Sequence, residues 1–403
     1  MTHINTAKRP AAATEAPGDD FQTGRVLTIT AGHAAHDTFT SMLAPLLPLF
    51  IRNFGLSKTE AGLLTMFAQG PSLLQPVVGH LSDQIDLRPL VVVAPTLTAL
   101  AFGLLGRAPS YAALATLLLL AGLSSAMFHS VAPGLAGRLS GRRLLGRGMA
   151  LFMLGGELGY SLGPLLVVTV VEYVGLRGTP WMTIIGVFGS LLLLVRLRGV
   201  SFESAHQDVA RAPLWIALRH MRPVLLPVIG LVALRSFALC ALGSFLPTYL
   251  SESGTGFWRA GASLTVYQVA ASFGVVLGGT LSDRIGRRSI LLLSMLTTPA
   301  LLLLFLRLGG AAQLAMLALI GVITVTFDPV MMALVQENYT ANRALASATF
   351  LSMLFVVRSL AVVIMGAVAD RLGLRWAFAA SAYIFLLGAP LVFLLPAKSA
   401  ART

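Results

Sequence analysis

The sequence predicts an all-α integral membrane protein, with twelve transmembrane helices in two pseudo-symmetric six-helix bundles. Three observations lead there. Of the 403 residues, 56% are hydrophobic and only 11% charged, with mean hydropathy +0.82, so most of the chain must face hydrocarbon rather than water. The apolar residues form runs long enough to cross a core of about 30 Å at about 1.5 Å per residue. Finally, two polar hinges, Gly79 to Pro89 and Gly278 to Ser289, are near copies: an apolar run ends in Gly, Leu-Ser-Asp follows (Leu81, Ser82, Asp83; Leu281, Ser282, Asp283), and basic residues close the hinge. Such a copy marks an internal repeat.

In order, residues 1–24 are expected to be a disordered cytoplasmic tail, polar and without the apolar core of a cleaved signal. Apolar spans at roughly 25–51, 60–81, 89–107, 110–138, 147–173 and 180–199 make a first bundle, 25–199. Residues 200–222 read as a cytoplasmic linker. Spans at roughly 223–250, 258–281, 289–307, 311–338, 344–369 and 375–396 make a second bundle, 223–396, before a short cytoplasmic tail, 397–403. With both termini cytoplasmic, 19 of the 29 Lys and Arg residues fall on the cytoplasmic side, 8 outside and 2 within helices, as the positive-inside rule requires.

The duplication reaches into the spans. His36 and Arg235, and His129 and Asp328, are each 199 residues apart; Ser161-Leu162 and Ser359-Leu360 are 198 apart. Parallel repeats of this kind in transport proteins hold substrate between the halves near the midplane.

Several function classes are excluded or disfavoured. The single Cys240 allows no internal disulfide framework. The net charge of +13 sits in gaps between apolar spans, so it reads as topology and not as a nucleic-acid footprint. No Gly-rich Lys-Ser/Thr loop offers a nucleotide site, and His3, His80, His206 and His220 are too scattered for a metal centre. Neither enzyme activity, metal nor cofactor is expected; an ion gradient is the expected energy source.

The second hinge, Gly279 to Arg288, reads Gly-x-x-x-Asp-Arg-x-Gly-Arg-Arg. With two six-helix halves, it resembles the major facilitator superfamily over essentially the whole chain. The first hinge departs from it at Gln84 and Asp86. Within the superfamily the N-terminal half resembles the fosmidomycin-resistance group of exporters, through His33 with Asp37, Ser72 to Gly79, Phe128-His129, and Gly155-Gly156-Glu157-Leu158-Gly159 through Gly163-Pro164. Ser130 and Glu157 depart from that group's usual residues. The resemblance implies a bacterial inner-membrane secondary transporter, a monomer among lipids. It would export a small drug-like or anionic compound in exchange for protons by alternating access. Uptake or lipid-like substrate movement is the alternative within transport, and a non-transporting receptor the alternative outside it.

Ionisable residues inside apolar helices are functional candidates by default. His33 and Asp37 are four apart in the first span and share a helix face, with His36 adjacent to Asp37. With Glu157 and Asp328 they are the proton-coupling candidates. His129, Arg235 and Arg358 are the substrate-cavity candidates, and the repeat-equivalent His129 and Asp328 are expected to face each other. Arg235 and Arg358 each need a carboxylate, carbonyls or an anionic ligand. Gly155, Gly159, Gly163 and Pro164 allow close helix approach, and Gly274 and Gly278 are expected to supply the facing side. Asp83 and Asp283 end helices where a negative charge opposes the dipole. The superfamily arrangement implies cytoplasmic latches to Arg343 and Arg147 respectively, closed in the outward-facing state, with Arg287 and Arg288 in the second hinge.

Overall fold

The structure, a computed structural model, describes residues 21–82, 85–141, 144–198, 214–338 and 343–395. Asp83, the two tails and most of the 200–222 linker lie outside these residues. Every described element is helical. The N half comprises α1 (Thr23–Thr40), α2 (Leu43–Phe54), α3 (Lys58–Gln69), α4 (Gln75–Ser82), α5 (Arg88–Leu104), α6 (Tyr111–Leu139), α7 (Leu145–Val174) and α8 (Thr183–Arg196). The C half comprises α9 (Leu214–Cys240), α10 (Leu246–Glu252), α11 (Phe257–Ile285), α12 (Arg287–Phe305), α13 (Gly310–Val325), α14 (Phe327–Asn338), α15 (Arg343–Leu372) and α16 (Leu374–Leu386).

Ten helical stretches among the described residues are long and apolar enough to cross a membrane. The expected count of twelve is not met helix for helix, because the first two spans are broken. The chain interrupts α1 from α2 at Ser41–Met42, and Gly70-Pro71 starts a tight 3-10 turn, Gly70–Leu74, between α3 and α4. A further difference is at the linker, where α9 begins at Leu214 and runs continuously into its span.

Breaks recur beside the charged residues. The α1 break follows Asp37 by one turn. A π turn, Ala241–Phe245, joins α9 to α10 after Arg235, and α13 stops before Asp328 opens the first turn of α14. There the carboxylate meets the positive end of its own helix dipole, and Pro329 sits where its missing N–H costs least. Interrupted helices of this kind expose backbone and polar side chains to a cavity at membrane depth.

Within each half, small residues set the closeness of packing. Gly155, Gly159 and Gly163 of α7 lie against the backbone of Thr30, Ala34 and Thr38 on α1; a Cβ on Gly159 would come 2.9 Å from Ala34 Cα. Gly274 and Gly278 of α11 lie against Val322 and Thr326 at the end of α13. The two glycine sets therefore do not face each other as expected. Each tightens its own half, and the α7–α11 contact between halves is made by other residues.

Among the described residues, the polar contacts joining α7 to α11 and α3 to α15 lie toward the end away from the chain termini, called here the distal end. Leu165 N, next to Pro164, donates to Thr265 Oγ1 at 3.1 Å, and Trp258 Nε1 donates to Thr169 Oγ1 at 3.1 Å. Trp181, Trp258 and Trp376 are exposed at this same end, as aromatic residues are at a membrane interface.

Candidate functional site

Helix α1 supplies the first cluster. The i, i+4 spacing brings His33 Nε2 to Asp37 Oδ2 at 3.1 Å, and His36 Nδ1 donates to Asp37 Oδ1 at 2.8 Å. From α6, His129 Nε2 reaches Asp37 Oδ1 at 3.4 Å and His33 Nε2 at 3.4 Å. Phe128 and Phe152 stack on His36 and His33 with ring centroids 4.4 and 4.1 Å apart, respectively. Apolar walls thus hold the rings in place. Gly156 provides the remaining clearance: a Cβ there would come 2.6 Å from His33 Nε2.

Hydrogen-bond logic fixes where protons are needed. His33 Nδ1 lies 2.8 Å from the Phe152 carbonyl oxygen, and His129 Nδ1 lies 3.0 Å from that of Ser125. A carbonyl can only accept, so both Nδ1 atoms carry hydrogen. In the neutral rings both Nε2 atoms then present lone pairs, and they point at each other and at a carboxylate. Three acceptors meeting at 3.1–3.4 Å require at least one shared proton. The junction continues outward: His36 Nε2 is 3.2 Å from Thr98 Oγ1, which is 2.9 Å from Ser124 Oγ. His33, Asp37 and His129 also form the one group of metal-ligand type found among the described residues, its donor atoms within 4.8 Å of one another. A proton closes the same set of acceptors.

The C half carries the counterpart. Arg235 of α9, 1% exposed, grips Asp328 of α14 with two parallel bonds, Nη1 to Oδ1 at 2.7 Å and Nη2 to Oδ2 at 2.8 Å. Nη2 also donates to the Thr324 carbonyl at 3.0 Å, and the guanidinium lies 4.7 Å from the Phe327 ring centre. Arg235 is therefore ion-paired. The expected approach of His129 to Asp328 is not seen; each packs on the first helix of its own half. Asp328 keeps 37% of its side chain exposed, so the pair has one open flank.

Glu157 of α7 lies between the two clusters, within electrostatic reach of Asp37, His33 and Asp328. Ser272 Oγ of α11 donates to Glu157 Oε2 at 3.4 Å. Arg358 of α15 stands apart, with Tyr160, Tyr267 and Cys240 around its guanidinium.

Around the hinges, Asp283 pairs with Arg287 at 2.7 Å; the Asp283–Arg147 latch, expected closed in the outward-facing state, is not formed in this conformation. An i, i+4 partner on its own segment is already in place and needs no movement of the halves. Arg147 lies over the Phe21 ring at 5.5 Å. Arg287 also donates to Ser282, and Arg288 donates to the Leu395 carbonyl. The Asp83–Arg343 latch falls outside the described residues and side chains. In the first hinge the departing residue Asp86 takes Arg88, with Nε to Oδ2 at 2.8 Å. The adjacent guanidinium holds the Asp86 carboxyl below the usual carboxylate range.

One element was missed in the sequence. At the distal end Asp370, in the last turn of α15, accepts from Lys58 N at 2.6 Å, Thr59 N at 2.9 Å and Thr59 Oγ1 at 2.5 Å. Helix α3 begins with a capping box, in which Ser57 Oγ accepts from Glu60 N at 3.1 Å and Glu60 Oε2 from Ser57 N at 2.8 Å. The box leaves the amides of Lys58 and Thr59 open. Asp370 fills that vacancy from the other half. Lys58 Nζ pairs with Glu252 at 2.8 Å, and Gly62 and Gly366 let the α3 and α15 backbones touch beside the cap.

Two repeated halves, interrupted helices and buried charges within each half are the build of a membrane transporter. The chain belongs to the Major Facilitator Superfamily, whose family model matches residues 29–264 and 259–403. Among its relatives, the fosmidomycin resistance protein of Escherichia coli (strain K12) is 27% identical over 377 residues, 91% of each chain. The uncharacterized MFS-type transporter YfnC of Bacillus subtilis (strain 168) is 26% identical over 384 residues, 92% of each chain. The probable nitrate/nitrite transporter NarK2 of Mycobacterium tuberculosis is 28% identical over 269 residues, 65% of this chain and 67% of that one. Among solved structures, a bacterial homolog of the human lysosomal transporter Spinster superposes with a TM-score of 0.77 at 14% identity, covering 93% of this chain and 97% of that one. The nucleoside transporter NupG gives 0.76 at 14% identity, covering 92% and 99%. These last two likenesses concern the fold alone.

Proposed function

We propose that this transporter is a proton-coupled antiporter that exports a small drug-like or anionic compound across the bacterial inner membrane. The observation that carries the reading is the acceptor-only junction of His33, Asp37 and His129, which needs a proton to close. A proton arriving there removes a buried negative charge or adds a positive one. Either change alters the electrostatics felt by Glu157 and, through it, by Asp328 across the interface. Substrate and proton therefore compete for one central charge balance, which is the requirement for exchange.

Orientation follows from the basic residues, which place the termini and hinges in the cytoplasm. On this orientation the distal contacts lie on the periplasmic side. The relatives named for fosmidomycin resistance and for nitrate or nitrite are consistent with export of a drug and with handling of an anion. One charge moving through 100 mV is worth about 2.3 kcal/mol, so one or two protons suffice for useful accumulation.

The test is reconstitution in liposomes holding a pH-sensitive dye, with an imposed pH gradient and a panel of antibiotics and organic anions. Substrate-triggered proton movement is expected in wild type and is expected to fall at least a hundredfold in Asp37→Asn. Substrate flux without any proton signal would exclude antiport with protons.

A further inference from the structure

We infer that Arg358 anchors an oxyanion-binding site shared by the two halves, which takes the carboxylate, phosphate or phosphonate group of the transported compound. The inference rests on the transporter reading and names the substrate class for it. Of the two arginines deep in the membrane, Arg235 has Asp328 as a bidentate partner. Arg358 has no carboxylate within salt-bridge distance among the described residues, and its neighbours are the phenols of Tyr160 and Tyr267 and the thiol of Cys240. Its Nε is buried and has no hydrogen-bond partner. A guanidinium stays protonated in proteins, and a cation without an anion in a low-dielectric interior is strongly disfavoured. The missing component is an anion.

Placement supports a ligand and not a stray charge. Arg358 belongs to α15 of the C half and Tyr160 to α7 of the N half, so an anion held by both would draw the halves together. The two positions are repeat equivalents 198 residues apart, one carrying the charge and the other a hydroxyl donor. On the third side the π turn Ala241–Phe245 brings Gly243 against the guanidinium, where a Cβ would come 3.3 Å from Arg358 Nη2. Turns of this type recur at functional positions. A fork of two parallel N–H donors matches carboxylate and phosphonate oxygens, whereas a cation would be repelled and a neutral compound would leave the charge uncompensated.

The experiment measures thermal stabilisation of the purified full chain by acetate, methylphosphonate and, as a cationic control, tetramethylammonium. Wild type should be stabilised by the two oxyanions and not by tetramethylammonium. Arg358→Gln should weaken the effect at least tenfold and Arg358→Lys less, since a point charge replaces the fork. Gly243→Ala keeps every charge and should weaken it several-fold by crowding the guanidinium, which covers the case of an Arg358 variant that does not fold. Equal stabilisation of wild type and Arg358→Gln, or a preference for tetramethylammonium, would overturn the inference. Proton-coupled flux of a neutral compound unchanged in Arg358→Gln would also overturn it while leaving the transporter reading in place. Anion stabilisation dependent on Arg358 in a protein that moves no protons would support it and remove the antiport reading.

Discussion

Each half joins its first helix to a later one by a charged pair of opposite polarity, with His129 and Asp328 at equivalent positions and Asp37 one residue past the equivalent of Arg235. In the N half the acid, Asp37, is on the first helix and the base, His129, on α6. In the C half the base, Arg235, is on the first helix and the acid, Asp328, on α14. The surrounding hydroxyls repeat as well: Thr98 with Ser124 in one half, Thr298 with Thr324 at 3.3 Å in the other. What differs is chemistry. Imidazoles gain and lose protons in the physiological range, whereas a guanidinium stays charged. Duplication supplied one scaffold, and substitution put an imidazole–carboxylate cluster in one copy and a guanidinium–carboxylate pair in the other.

The largest expected effect separates the two by stability. Asp328→Ala would leave the Arg235 charge buried and unpaired, at about 3–5 kcal/mol, whereas Asp37→Asn leaves neutral rings with an amide partner and should lose only about 1–2 kcal/mol. Thermal melting of the purified proteins checks this, and equal losses would dissolve the distinction. Arg235→His comes next, since it carries a titrating base into the fixed half. Transport measured against pH should then show a second inflection absent from wild type; a profile of unchanged shape would mean that Asp328 does not communicate with the coupling site. The smallest effect is expected at the distal contact, which touches neither cluster. Asp370→Asn weakens three charge-assisted bonds, by about 1–3 kcal/mol in total, and should raise the distal-open population on the order of tenfold. Alkylation of Thr265→Cys, at the α7–α11 side of the same distal contact, would report it, with the pH profile unmoved.

Much of this architecture was legible in the sequence, because span length, hinge copies and charge bias are properties of composition and order. The His33–Asp37 pairing was legible for the same reason, as four-residue spacing fixes a shared helix face. The partner of His129 was not. Repeat-equivalent residues invite the idea that they meet at the axis, yet the common 199-residue offset of His36 with Arg235 and His129 with Asp328 pointed instead to two pairs inside the halves. The glycine sets were misassigned because small residues show that a helix is approached closely, not by which neighbour. The Asp370 contact was hidden for a different reason. Its donors are mostly backbone amides, which carry no side-chain signature, although the Ser57–Glu60 box marks the helix start and shows which amides it leaves over.

Because the first turn of α3 is completed by a carboxylate from the other half, fraying of that turn and separation of the halves are one event. Hydrogen exchange at the Lys58 and Thr59 amides therefore counts openings of the distal side in unmodified protein. A single peptide followed by mass spectrometry, with and without a pH gradient, would time the transport cycle without a label or a known cargo.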